Sequence, residues 1–100
     1  MGFIDNTPII KQIEEYINSE GSGFAAWYCG ITDDIERRLR GEHQVAEQDP
    51  WWIARMAANK KAAELIEKYF HDQGCQGDQG GGNENSKYVY AYLIRKSTKE

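Results

Sequence analysis

The chain has 100 residues, of which 40% are apolar or aromatic and 28% charged, with a formal net charge of −4. Apolar residues are spread along a length that suits one domain, so a single globular domain over residues 1–100 is expected rather than disorder. The acidic balance argues against a protein whose whole surface grips a polyanion, although Arg37, Arg38 and Arg40 cluster, as do Lys60 and Lys61, giving a local basic strip.

In chain order, "NTPIIKQIEEYINSEG" offers Thr7 as an N-cap and Pro8 at the first helical position. Ile9, Ile10, Ile13, Tyr16 and Ile17 then recur at helical spacing, which predicts an amphipathic helix ending before Gly21. "FAAWYCGI" follows Gly-Ser-Gly and predicts a strand over Phe24–Ile31. "TDDIERRLRG" predicts a helix capped by Thr32 or Asp33 and stopped by a left-handed Gly41. Ile35 and Leu39 are its buried residues, Arg38 lies on the flank of that stripe, and Arg37 and Arg40 point toward water.

"PWWIARMAAN" alternates and predicts a strand over Trp51–Ala57, with Asn59 capping the next helix. "NKKAAELIEKYFHDQG" is that helix, with Ala62, Leu65, Ile66 and Tyr69 expected on one face. Glu67 shares a side with Ala63, Ile66 and Phe70, while Glu64 is placed to pair with Lys68 outside. A Gly-rich loop over residues 74–86 follows; it lacks the Gly-Lys-Ser/Thr ending of a phosphate cradle and precedes a strand, so it reads as a flexible loop able to border a groove. "KYVYAYLIR" is the final strand, with Val89, Ala91 and Leu93 on one side and Tyr88, Tyr90 and Tyr92 on the other. The expected class is α+β: a small three-stranded, mostly antiparallel sheet flanked by helices.

Cys29 and Cys75 form no CxxC pair, and His43 and His71 lack finger spacing, so thiolate metal sites are not expected and a reducing compartment fits. "MGFIDNTPIIKQIEEY" lacks a basic segment leading into an apolar run, and no apolar stretch nears the roughly 20 residues of a membrane span. No membrane partner is expected, and the cytoplasm is the expected location.

Four polar residues stand beside apolar neighbours rather than away from them: Tyr28, Arg38, His43 and Glu67. Each has an ordinary reading. Tyr28 would be a half-buried strand aromatic, Arg38 and Glu67 a bridge between helices, His43 a solvated residue after a helix end. Trp51 and Trp52 read as core and rim rather than as base-stacking platforms.

Taken in order, however, "WYCGITDDIERRLRGEH" resembles the second half of the GIY-YIG nuclease signature: a strand Tyr-x-Gly, an arginine on a helix about ten residues later, then a histidine. Tyr28, Gly30, Arg38 and His43 match those positions, and "AELIE" supplies Ala63 and Glu67 where the family has Ala and a metal-binding Glu. The likeness runs from Phe24 to Phe70. No Gly-Ile-Tyr strand stands ahead of Trp27; Tyr16 lies at roughly its distance but in a helical context, and the family's closing Asn is represented only by Asn83 and Asn85 in the loop. "YVYAYLI" is the candidate replacement, a rearranged order in which Tyr88, Tyr90 or Tyr92 faces the site.

The resemblance implies a metal-dependent endonuclease acting on DNA or RNA. Glu67 would hold Mg²⁺ or Mn²⁺, Arg38 a phosphate oxygen, Tyr28 the phosphate or attacking water, and His43 a proton or the water, with Tyr90, Tyr16 and Asn85 as additional candidates. The alternatives are a binding module that kept the fold and lost the chemistry, and an accessory protein that self-associates, with a homodimer as its partner.

Overall fold

Alternating tyrosines and smaller apolar residues make Tyr88–Leu93 a strand with two different faces, and a strand buried on both faces belongs in the middle of a sheet. The computed structural model, which describes residues 6–46, 49–77, 84–96 and 98, places it there. The elements are α1 (Thr7–Glu20), β1 (Trp27–Thr32), β2 (Trp52–Met56), α2 (Lys60–Gln73) and β3 (Tyr88–Leu93). The sheet order is β1-β3-β2, and both pairings are antiparallel, so the chain is α+β with an open three-stranded sheet. Among the described residues no helix is long and apolar enough to cross a membrane.

Strand alternation separates two layers. On one face Cys29, Ile31, Ile53, Val89 and Ala91 meet Ile13 and Ile17 of α1 and Ala62, Ala63, Ile66 and Phe70 of α2. On the other, Tyr28, Tyr90 and Tyr92 are covered by Leu39 and Val45 from the connection between β1 and β2. The outer edge of β1 is closed by the chain leaving α2: Cys29 N–H donates to Gln76 O at 2.9 Å and Gln76 N–H to Trp27 O at 2.8 Å. His71 Nε2 adds a bond to the Cys29 carbonyl at 2.9 Å. At Gly77, φ is 148°, and a Cβ there would stand 2.5 Å from that same carbonyl oxygen, so the strap is built around a residue without a side chain.

Several boundaries differ from the expected ones. Asn6, not Thr7, is the N-cap of α1, its side-chain amide reaching the Ala62 carbonyl at 3.4 Å. The first turn's N–H groups have no intrahelical partner, so Pro8 fits one position further in. Phe24–Ala26 forms a 3-10 turn rather than the start of β1, and β2 is shorter than Trp51–Ala57 by one residue at each end. Asn59 caps α2 as expected, its Oδ1 accepting from Ala62 N–H at 2.9 Å. Leu65 does not join the buried side; it is 56% exposed, and the apolar stripe runs through Ala62, Ala63, Ile66 and Phe70. Glu64 pairs with Lys60 rather than Lys68, whose partner is Asp72.

The largest difference lies between β1 and β2. Neither Thr32 nor Asp33 caps the helix: Thr32 Oγ1 accepts from Asp34 N–H, and Asp34 Oδ1 accepts from Arg37 N–H at 3.1 Å. Beyond Glu36 the winding opens into a π-helical turn over Arg37–Glu42, closed by His43 N–H donating to Arg38 O at 2.8 Å. The turn runs through Gly41, and the left-handed residue is Gln44, at φ 58°.

Leu65 and Ile66 are adjacent on α2 with opposite environments. Ile66→Ala is expected to cost about 2–5 kcal/mol of unfolding free energy and Leu65→Ala less than about 0.5, read from urea denaturation. Burial also pushes the Cys75 thiol up to about 12, so the unfolded chain loses this proton first as pH rises. Cys75 therefore contributes stability that is present below the unfolded thiol's ordinary value of about 8.5 and is lost above it. Urea midpoints between pH 7.5 and 10.5 should fall, and fall less in Cys75→Ala.

Candidate functional site

The layer behind the two helices contains the polar residues singled out in the sequence. In the register, Tyr90 stands between Gly30 on β1 and Ala54 on β2, and Tyr92 between Tyr28 and Trp52. Tyr90 thus has two small neighbours, and its ring leans over Gly30: a Cβ there would lie 2.6 Å from the Tyr90 hydroxyl oxygen. Tyr28 stacks on Tyr92 with ring centres 5.3 Å apart, and its ring lies 4.6 Å from that of His43.

The π-helical turn supplies the other side. Closure between residues five apart brings His43 under Arg38, where both side chains reach β3. Arg38 Nε–H donates to the Tyr90 hydroxyl at 3.3 Å. His43 spans two tyrosines, with Nε2 at 2.8 Å from the Tyr90 hydroxyl and Nδ1 at 2.9 Å from that of Tyr92. Tyr28, His43, Tyr90 and Tyr92 are 4%, 3%, 0% and 0% exposed, which leaves the Arg38 guanidinium as the network's approach to solvent. The His43 expected as a solvated residue is therefore buried, and Tyr28 is core rather than half-buried.

Electrostatics follow from this burial. Burial pushes the pKa of the Tyr90 phenol well above its ordinary value, and Arg38 offsets this only in part. Burial works against the charge on Arg38, but Tyr90 and Glu42 outweigh it and hold the guanidinium more firmly protonated than usual. Glu42 forms an ion pair with Arg38 and a second with Arg37, and the hydrogen bond from Arg38 holds its carboxyl below the usual carboxylate range. Arg40 does not point to water as expected: its guanidinium carbon lies 5.1 Å from the Trp52 ring centre, and Nη1 reaches the Val45 carbonyl at 3.4 Å.

The remaining candidates lie elsewhere. Tyr16 sits on α1, packed against Trp27 and Trp51 with its hydroxyl donating to the Pro50 carbonyl, so it is part of the helical layer. Asn85 is exposed in the turn before β3, while Asn83 and the rest of 78–83 lie outside the described residues. Glu67 is on α2, in the helical layer, 4% exposed and close enough to Cys29 for its charge to reinforce the upward push of burial on that thiol. Among the described residues no three His, Cys, Asp or Glu side chains gather as a metal site. Glu67 by itself offers one oxygen ligand, a donor set compatible with Mg²⁺ only if the ion keeps most of its waters and takes the rest from a substrate phosphate.

Glu42 was not among the site residues read from the sequence, and Tyr92 was read only as one of three strand tyrosines able to face the site. Tyr92 was legible as a neighbour of Tyr90 on the same strand face, and Glu42 as the acid four residues after Arg38.

Gly30→Ala should displace the Tyr90 ring and destabilise the protein by about 1–3 kcal/mol. Chemical shifts of the Tyr90 ring and the His43 imidazole should move with it, whereas Gly41→Ala, with open space around its Cβ, should leave them in place. Comparison with known proteins by family model, curated sequence and solved structure finds no match to this chain.

Proposed function

We infer that the protein is a metal-dependent endonuclease of GIY-YIG-like build, hydrolysing phosphodiester bonds of DNA or RNA. One observation carries the reading: Tyr28, Arg38 and His43 meet Tyr90, which arrives from the far end of the chain on a strand paired along the whole of β1. That is the place an early Gly-Ile-Tyr strand would hold, and Tyr90 lies opposite Gly30 of the Tyr-x-Gly strand.

In this reading Arg38 binds a non-bridging phosphate oxygen once the phosphate displaces Glu42, and its charge-assisted bonds strengthen as negative charge develops. Once the phosphate draws Arg38 from Glu42 and admits water to the buried Tyr90 hydroxyl, Tyr90 would pass its proton to His43 Nε2 and take one from the attacking water. Arg38 Nε–H would stabilise the phenolate oxygen between the two steps, and the same path run in reverse would return the proton from His43 to the departing oxygen. Tyr28 supports the ring of His43 by a tilted contact. Glu67, buried in the helical layer, lies on the other face of the sheet from Arg38, so a Mg²⁺ or Mn²⁺ ion serving this phosphate would have to be held by groups other than Glu67. Nucleic acid is the partner, a second copy of the chain would widen its small reading surface, and two free buried thiols suit a reducing cytoplasm.

A second reading, a binding module that has lost the chemistry, is favoured by the complete burial of Tyr90 and by the occupation of Arg38 by Glu42. Cleavage assays on single- and double-stranded DNA and RNA with Mg²⁺ or Mn²⁺ separate the two. The nuclease reading expects cleavage that falls about 100-fold or more in Arg38→Ala and Tyr90→Phe with folding intact, and that stops when the divalent ion is chelated. No cleavage by the wild type, or cleavage indifferent to Arg38 and Tyr90, would sink it in favour of the second.

Glu42→Gln removes the ion pairs of Glu42 with Arg38 and Arg37, leaving Arg37 its pair with Asp33, so it should tighten binding to a DNA duplex at low salt, with the gain fading as salt rises. Fluorescence anisotropy across a salt series reads this directly.

A further inference from the structure

Tyr90, His43 and Tyr92 form a chain in which the proton of each bond to the imidazole can be placed. Arg38 Nε–H can only donate, so the Tyr90 oxygen accepts from it. Tyr90 is fully buried, and its own hydroxyl hydrogen needs an acceptor; His43 Nε2, at 2.8 Å, provides one if that nitrogen carries its lone pair. A neutral imidazole then carries its proton on Nδ1, and Nδ1–H donates to the Tyr92 oxygen at 2.9 Å.

We propose that Tyr92 is a positioning residue: by accepting from His43 Nδ1–H, it holds the imidazole in the tautomer whose Nε2 can receive the proton of Tyr90. Its hydroxyl lies at the opposite nitrogen of the ring from Tyr90, and its side chain is fully buried. It sets which nitrogen is the base, as the carboxylate of a hydrolase triad sets the tautomer of its histidine. The proton relayed is balanced: the Tyr90 O–H bond breaks, a His43 Nε2–H bond forms, and the imidazolium keeps Nδ1–H on Tyr92. The inference deepens the nuclease reading, and its consequence for catalysis rests on that reading; the tautomer does not.

The chain holds an internal reference. His71 Nε2 faces the Cys29 carbonyl, which can only accept, so His71 carries its proton on Nε2, the opposite nitrogen from His43. These are the two histidines of the sequence.

The experiment is a long-range proton–nitrogen correlation spectrum of the full chain with ¹⁵N-labelled histidine at neutral pH, with His71→Gln to assign the signals. The wild type is expected to show His43 protonated on Nδ1 and His71 on Nε2. In Tyr92→Phe, Nδ1–H loses its acceptor, and more than half of His43 should shift to the Nε2–H form; Tyr90→Phe should leave Nδ1–H in place. A wild-type His43 protonated on Nε2 would overturn the proposal without any variant having to fold, and so would a Tyr92→Phe spectrum unchanged from wild type. In the cleavage assay Tyr92→Phe should lower kcat at least about tenfold with KM little changed; an unchanged kcat would overturn the catalytic part. A wild type that cleaves nothing yet shows the tautomer exchange would overturn the nuclease reading while supporting the role of Tyr92 in fixing His43.

Discussion

The hydroxyl of Tyr90 is buried in the middle of the sheet, and the layer around it is arranged so that this one polar group is not left without partners. A buried hydroxyl stripped of water costs on the order of 1–3 kcal/mol unless it is hydrogen-bonded. Arg38 and His43 meet that demand, and both reach it only because the turn over Arg37–Glu42 is wound as a π-helix. Gly30 and Ala54 on the flanking strands leave the ring its space. Burial of the ring, the opened winding and the small neighbours are thus one arrangement, and altering any of them loosens the others.

That arrangement separates the two faces of the sheet by kind. The helical layer is aliphatic and aromatic, with α1 and α2 burying Ile13, Ile17, Ile66 and Phe70, and it supplies most of the hydrophobic stabilisation. The other layer is small and polar at its heart, covered by Leu39 and Val45 and reached from solvent past Arg38. Glu42 neutralises Arg38 and Arg37 at that approach, which lets an acidic chain keep a cationic group beside a buried network. Rigid support on one side and a guarded cation on the other suit a site whose geometry has to be held before a ligand arrives.

Local signals carried the sequence reading a long way. Asn59 announced the start of α2 because a cap acts within four residues, and the alternation through Tyr88–Leu93 assigned both faces of β3 correctly. Where two registers of a helix were equally apolar, pattern failed: Leu65 and Ile66 are adjacent, and only the position of the sheet decides which is buried. Gly41 read as a helix stop because glycine usually takes the left-handed position, yet the tertiary pull on His43 carries the winding past it and gives the positive φ to Gln44. The partners of Tyr90 were legible as residue types and not as partners, since bonds spanning 47 and 52 positions depend on the whole topology.

The sheet order has a consequence for how the protein is made. β1 and β2 do not pair with each other; each hydrogen-bonds to β3, the last of the three to be synthesised. A ribosome-bound chain that has exposed β1, β2 and both helices holds two strands with no partner for their backbone groups, and hairpin formation cannot begin the sheet. Every ladder closes over a long loop and all of them close late, the circumstance in which folding is slow and unpaired strands invite association with other chains.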